Sequence, residues 1–105
     1  VEQSAVQCET ILASGFPIVF GFTVYESFES AKVEKTGTVP MPKKTEGILG
    51  GHAVLMVGYD APAKRFICRN SWGPAWGAKG YFTIPYDYVL NLNLADDFWV
   101  MRSVG

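Results

Sequence analysis

The feature that most constrains this chain is a pair of strand-like runs joined by one turn. His52-Ala53-Val54-Leu55-Met56-Val57-Gly58-Tyr59 and Arg65-Phe66-Ile67-Cys68-Arg69-Asn70 are rich in β-branched and aromatic residues. The intervening Asp60-Ala61-Pro62-Ala63-Lys64 has the aspartate and proline of a tight connection, so the runs fold back as a β-hairpin. Residues 18–25 form a second apolar, β-branched run that reads as a strand buried on both faces. Gly21 sits in its middle, where a missing side chain marks a bulge or the close approach of another backbone or a ligand. Residues 80–85 and 98–104 read as further strands, and 86–90 as a helical turn. Ahead of them, Val1, Ala5, Cys8, Ile11 and Leu12 recur at intervals of three and four, with Gly15 after the last of them. That spacing predicts a helix over residues 1–14. Residues 26–50 are polar and turn-rich, with prolines at 40 and 42, and predict an irregular connection with at most one short strand. One helix with about five antiparallel strands is an α+β unit, a small curled sheet or barrel.

The supply of core material agrees with one globular domain over residues 1–105. Apolar residues make up 49 % and aromatic residues 14 %, which argues against disorder. The net charge is −1 and the nine basic residues are scattered apart from Lys43-Lys44, unlike the concentrated basic footprint of a nucleic-acid binder. No apolar stretch approaches the roughly 20 residues of a membrane span. Two cysteines, Cys8 and Cys68, make neither a disulfide framework nor a metal-ligand spacing, so neither a metal nor another cofactor is expected. The start, Val1-Glu2-Gln3-Ser4-Ala5, has no basic or apolar leader and no initiator methionine. It reads as a start inside a longer gene product, with any targeting signal in the missing part.

His52 is the single histidine, and a lone histidine is more often structural than catalytic. Its setting is unusual: Gly50-Gly51 precede it, and it is expected to open the hairpin's first strand. With the loop centred near Ala61, His52 lies opposite Asn70, Val54 opposite Cys68, and Met56 opposite Phe66. Side chains so paired on one face have Cβ atoms about 4.5–5.5 Å apart. A carboxamide there can accept the ring N–H and fix tautomer and orientation, the third-member role in a nucleophile–base–orienter triad. A ring nitrogen should then lie within about 3.5 Å of the amide oxygen, directly or through one water. Spacing alone leaves open whether the pair is functional or an accident of two strand ends.

The following segment bears on that choice. Asn70-Ser71-Trp72-Gly73-Pro74-Ala75-Trp76-Gly77-Ala78-Lys79-Gly80-Tyr81 closely resembles the Asn-Ser-Trp-Gly…Trp-Gly…Gly-Tyr signature of the papain-like cysteine peptidases. Gly51-His52-Ala53-Val54…Val57-Gly58-Tyr59 resembles that family's histidine-bearing strand, at the expected distance upstream. The helix, the strand after Pro17 and the two motifs follow the family order over most of the chain. The resemblance implies the β-rich, barrel-like right-hand half of the papain-like fold. It also implies that His52 is the catalytic base, that Asn70 orients it, and that Trp72 covers their hydrogen bond. Trp76 matches a second tryptophan near the primed side of the cleft, although a core cover fits it equally. Gly50, Gly51, Ala53 and Gly21 fall where the family lines its substrate subsites. The Gly-Gly-His and Asp-Asp-Phe-Trp segments look most like the microbial or viral branches.

The chain departs from the pattern in one respect: the family's nucleophile motif is absent. Cys8 follows Gln7 but lies on the apolar face of a helix, and Cys68 lies inside the hairpin. Burial disfavours the thiolate, so neither is expected to be the nucleophile. The resemblance therefore implies the carboxy-terminal half of a peptidase, inactive alone, whose partners are its nucleophile-bearing half and a peptide or protein substrate. Two other readings stand beside it. One is a catalytically dead relative that binds peptides or regulates a partner. The other is a different cysteine acyltransferase of the transglutaminase kind, which usually orients its histidine with an aspartate.

Overall fold

The computed structural model describes residues 4–91 and 93–100. Its first element, α1 (Ala5–Ala13), begins where the Ser4 side chain accepts a hydrogen bond from the Gln7 N–H and ends ahead of Gly15 at φ +90°. The helix is thus shorter than the expected 1–14, of which residues 1–3 lie outside the described residues. Cys8 is fully buried, with Ala5, Ile11 and Leu12 packed beside it, so the apolar stripe faces the core as its spacing predicts.

Strand β1 (Ile18–Tyr25) follows. Ile18, Phe20, Phe22 and Val24 are buried while their alternates are half-buried. Burial on both faces is therefore corrected to the one-sided alternation of an antiparallel sheet. The expectation of an irregular connection after β1 is also corrected. A 3-10 turn (Glu26–Glu29) leads into α2 (Ala31–Thr36), capped by the Ser30 side chain and closed by Gly37 at φ +71°. Phe28 and Val33 send this segment into the core. Gly37 and Gly77 lie against each other and against the Tyr81 carbonyl. A Cβ at either position would meet that oxygen at 2.7 or 2.6 Å, so both must lack a side chain.

Strand β2 (Ile48–Asp60) starts before the expected position, so His52 lies within the strand and does not open it. Strand β3 (Arg65–Arg69) pairs with it antiparallel, Met56 opposite Cys68 and Leu55 opposite Arg69. The expected pairing of Val54 with Cys68 is thus displaced by two residues. Side chains alternate with period two, so the displacement keeps His52 and Asn70 on one face. The error lies at the loop: Asp60 pairs with Arg65, so the turn is centred between Pro62 and Ala63 and not near Ala61, and the extra Val57 on β2 takes back one residue of the displacement.

Strand β4 (Tyr81–Pro85) runs into the short helix α3 (Tyr86–Val89), and β5 (Ala95–Val100) completes the sheet. The expected strand over 98–104 thus begins three residues earlier, and 101–104 lie outside the described residues. All pairings are antiparallel, in the order β4-β3-β2-β1-β5. In a flat sheet Phe22 on β1 and Phe82 on β4 would be roughly 14 Å apart, three strand spacings. Their ring centroids are 6.3 Å apart, so the sheet curls around its aromatic core in a barrel-like form.

Candidate active site

Two strand ends make the site. β2 continues towards its amino end beyond Leu55, its last residue paired with β3, while still paired with β1, so His52 stands opposite Phe22 with its other flank open. On that flank the chain leaves β3 at Arg69, and the Asn70 N–H donates to the Gly80 carbonyl at 2.9 Å. Asn70 is only 5 % exposed, the one buried polar residue among those described.

The Asn70 Oδ1 accepts two hydrogen bonds, from the Ser71 N–H at 2.8 Å and from His52 Nε2 at 2.9 Å. The backbone donor decides the chemistry of the pair. Rotating the amide would set its NH2 against the Ser71 N–H, donor against donor, so the oxygen must face both groups. An acceptor facing Nε2 requires that nitrogen to carry a proton. The neutral ring is then the Nε2–H tautomer, and Nδ1 keeps the lone pair. Among the described residues Nδ1 makes no hydrogen bond. The arrangement can accept a proton at Nδ1 while Asn70 holds the ring, and the imidazolium so formed strengthens the bond to Oδ1. Asn70 Nδ2, in contrast, is buried and has no acceptor among the described residues.

Trp72 lies over the imidazole, ring centroids 5.2 Å apart and planes at 23°. It is 44 % exposed, so it shields one face of the pair and presents its own outer face to solvent. Phe22 and Phe28 meet the imidazole edge-on at 6.0 and 6.3 Å. Sequence reasoning missed these two; the signal for Phe22 was its place on the strand next to β2, which no local pattern gives. Trp76 is 8 % exposed and packs on Phe28, Phe82 and Trp72. Those contacts are those of a core cover.

A cavity of about 410 Å³ lies beside His52, and Gly21, Gly51 and Ala53 are among its lining residues. Gly50 and Trp76 are not among its lining residues. Asp96 is, and it went unnoticed in the sequence because only the pairing of β1 with β5 brings it there. The two cysteines stand apart from this chemistry. Both are fully buried, and burial pushes each thiol up from its usual range, Cys68 the further. Among the described residues no group of three or more His, Cys, Asp or Glu could hold a metal ion.

A curled antiparallel sheet, with a histidine–asparagine pair at the junction of two of its strands and a tryptophan stacked over the pair, defines a class: the α+β right-hand domain of the papain-like fold. The chain belongs to the papain family of cysteine proteases, whose family model matches residues 1–99. It is 58 % identical over 93 residues to an uncharacterized peptidase C1-like protein of Acanthamoeba polyphaga mimivirus, covering 89 % of this chain and 30 % of that protein. It is 45 % identical over 80 residues to a cathepsin B-like protein of Giardia intestinalis, covering 70 % of this chain and 24 % of that protein. Among solved structures it resembles xylellain, a cysteine protease from Xylella fastidiosa. The TM-score there is 0.90 and the identity 46 %, over 100 % of this chain and 39 % of that one. The chain thus spans about a third or less of the curated relatives it matches.

Proposed function

We propose that this chain supplies the general base and its orienting partner to a cysteine peptidase whose nucleophile lies on a segment outside these residues. One observation carries the reading: the Ser71 N–H fixes the Asn70 amide, Asn70 holds Nε2–H, and Nδ1 is left as a proton acceptor. The nucleophile must come from elsewhere because both cysteines here are buried and their thiols are held in the protonated form.

The chemistry then follows from Nδ1. It takes the proton of the incoming thiol, and the imidazolium stabilises the thiolate beside it. The thiolate attacks the scissile carbonyl carbon, and the C–N bond breaks as Nδ1 returns the proton to the leaving amine. A thioester remains. Water gives a proton to Nδ1 as its oxygen attacks the thioester carbon, and the carboxylic acid leaves with the thiol restored. Throughout, Asn70 keeps the ring from turning, and Trp72 lowers the local dielectric around the Nε2–Oδ1 bond, which strengthens it.

The partners of this chain are, on this reading, the nucleophile-bearing half of the same peptidase and a peptide or protein substrate. The test is reconstitution. The isolated chain should cleave no peptide and take up no active-site-directed thiol probe, and activity should appear only with the nucleophile-bearing half. Stoichiometric labelling of Cys8 or Cys68 in the folded chain would overturn the assignment. Tight peptide binding without turnover in the whole protein would make it a dead binding module.

A further inference from the structure

We propose that Phe22 is a positioning residue for the His52 imidazole: from the neighbouring strand it stops the ring from rocking while Asn70 holds Nε2. The proposal rests on the peptidase reading above and names a residue on which proton transfer at Nδ1 depends.

The register sets the two side by side. Phe22 on β1 is the direct cross-strand partner of His52 on β2, and opposite residues on one face have Cβ atoms about 4.5–5.5 Å apart. Their ring centroids are 6.0 Å apart with the planes at 63°, an edge-to-face contact. Trp72 lies nearly parallel to the imidazole and is joined there by Phe28, which it touches. Among the described residues Trp72 and Phe22 make no ring contact with each other, so they reach the imidazole from different sides.

The hydrogen bond alone does not fix the ring. The imidazole is tethered at Cβ by covalent bonds and at Nε2 by Asn70. Rocking about the line between these points moves Nδ1 and leaves both tethers in place. Contacts against the sides of the ring oppose that motion. Two residues earlier on β2 stands Gly50, which has no side chain to lend, so on the β1 side the task falls to Phe22. Phe22 cannot retreat. It is buried and packs on Phe20, Phe28, Phe82 and Tyr88. Tyr88 on α3 in turn donates its hydroxyl proton to the carbonyl of Thr23, the residue after Phe22. A ring locked in this way passes no slack to the ring it supports.

Phe82 supplies an internal control. It is equally buried and touches Phe22 and Phe28, yet among the described residues it makes no ring contact with His52. Phe22 also borders the cavity beside His52, which on the peptidase reading takes part of the peptide, so a substrate contact is the rival role.

The experiment compares Phe22→Leu with Phe82→Leu in the whole peptidase, each rate taken per active site titrated with a thiol probe so that only folded enzyme counts. Both should lower the unfolding midpoint in denaturant, since both open a gap in the same aromatic core. Phe22→Leu should also lower kcat by about 5–20-fold with KM nearly unchanged, because a displaced Nδ1 slows proton transfer and leaves peptide binding alone. The pH midpoint for alkylation of the catalytic thiol should move up towards the ordinary value of about 8.5, as the imidazolium beside the thiolate is less well placed. Phe82→Leu should leave kcat and that midpoint as in the wild type. Phe22→Met, which fills more of the gap without a rigid ring, should show the same kcat loss and carries the test if the leucine variant does not fold. Equal changes of kcat in the Phe22 and Phe82 variants would make Phe22 a core residue, and a raised KM with kcat unchanged would make it a substrate contact. Either result overturns the proposal and leaves the peptidase reading in place. A wild-type protein that cleaves no peptide and takes up no thiol probe brings down that reading and the proposal with it.

Discussion

The two flanks of His52 are built on opposite principles. On the Asn70 side the groups are held: a backbone bond to Gly80, an amide fixed by Ser71, and Trp72 set edge-on against Trp76 and Phe28. On the Gly51 side the feature is what is missing: Gly21, Gly51 and Ala53 leave a cavity bordered by Asp96. The difference separates two tasks. A general base must have its ring in one orientation, and only redundant contacts supply that. A surface that takes a peptide, as proposed for this flank, must leave room, and glycine and alanine do that without disturbing the strands. Substitutions on the first flank should therefore affect turnover, and those on the second should affect which peptide is turned over.

Removing the ring itself sets the scale. In the whole peptidase His52→Ala should lower kcat/KM by about 10⁴-fold, the upper range for a general acid–base. A residual rate only tenfold down would mean that another group carries the proton. Asn70→Ala comes next, with a fall of about 10–100-fold that should appear in kcat and leave KM nearly unchanged. The orienting bond matters most as the ring charges and discharges. An unchanged kcat with a raised KM would move Asn70 to the substrate flank and break the comparison.

The two tryptophans sharpen it. Trp76 is a core residue, so Trp76→Ala should destabilise the fold by about 3–5 kcal/mol, read as a lowered unfolding midpoint in denaturant. Trp72 is half exposed and should cost much less stability, while kcat falls several-fold as water reaches the Nε2–Oδ1 bond. Equal losses of stability in the two variants would show that Trp72 serves as a second core cover.

The uneven legibility of the fold in the sequence has the same origin. Periodicity places α1, β1, β3 and β4 within a few residues of their observed bounds, since each buries one regular face. His52 and Asn70 were correctly set on one face although the pairing was two residues out, because face depends only on whether the displacement is even. Helix α2 was overlooked although Ser30 and Gly37 are ordinary start and stop signals; it is short, and only Val33 of its side chains is buried. Asp96 was out of reach for another reason. Its position beside Gly21 comes from pairing between strands far apart in the chain, and β5 begins before the segment that reads as a strand.

The smallest expected effect lies behind the site, where acidic groups tie down the turn that carries Phe28. Glu46 accepts hydrogen bonds from the Lys43 N–H and the Ser27 N–H, both at 2.7 Å, and Glu26 reciprocates from the Gly47 N–H at 2.6 Å. These clamps join the chain just before β2 to the 3-10 turn, and Phe28 on that turn meets both His52 and Trp72 edge-on. The bond from the Lys43 N–H is the leading reason that the Glu46 carboxyl lies below its ordinary 4.5, with the Ser27 bond adding to it and burial opposing. The sign follows from the depressed value. The folded state prefers the ionised form more than the unfolded chain does, so the stabilisation is fully present above the unfolded pKa. It is lost as pH falls through the lower, folded one. Glu46→Gln in the whole peptidase should lower the unfolding midpoint at neutral pH by at most a few degrees. A bond from a backbone N–H to a half-exposed carboxylate contributes on the order of 1 kcal/mol. The gap between variant and wild type should narrow as pH falls below the ordinary carboxylate range and close once it has passed through the lower, folded value, where the Glu46 side chain is neutral like the glutamine. A gap that persists undiminished at pH 2.5 would mean that the clamp works through shape and not charge. A kcat change larger than the stability change would place Phe28 among the groups that hold the His52 ring, on the rigid flank of the comparison.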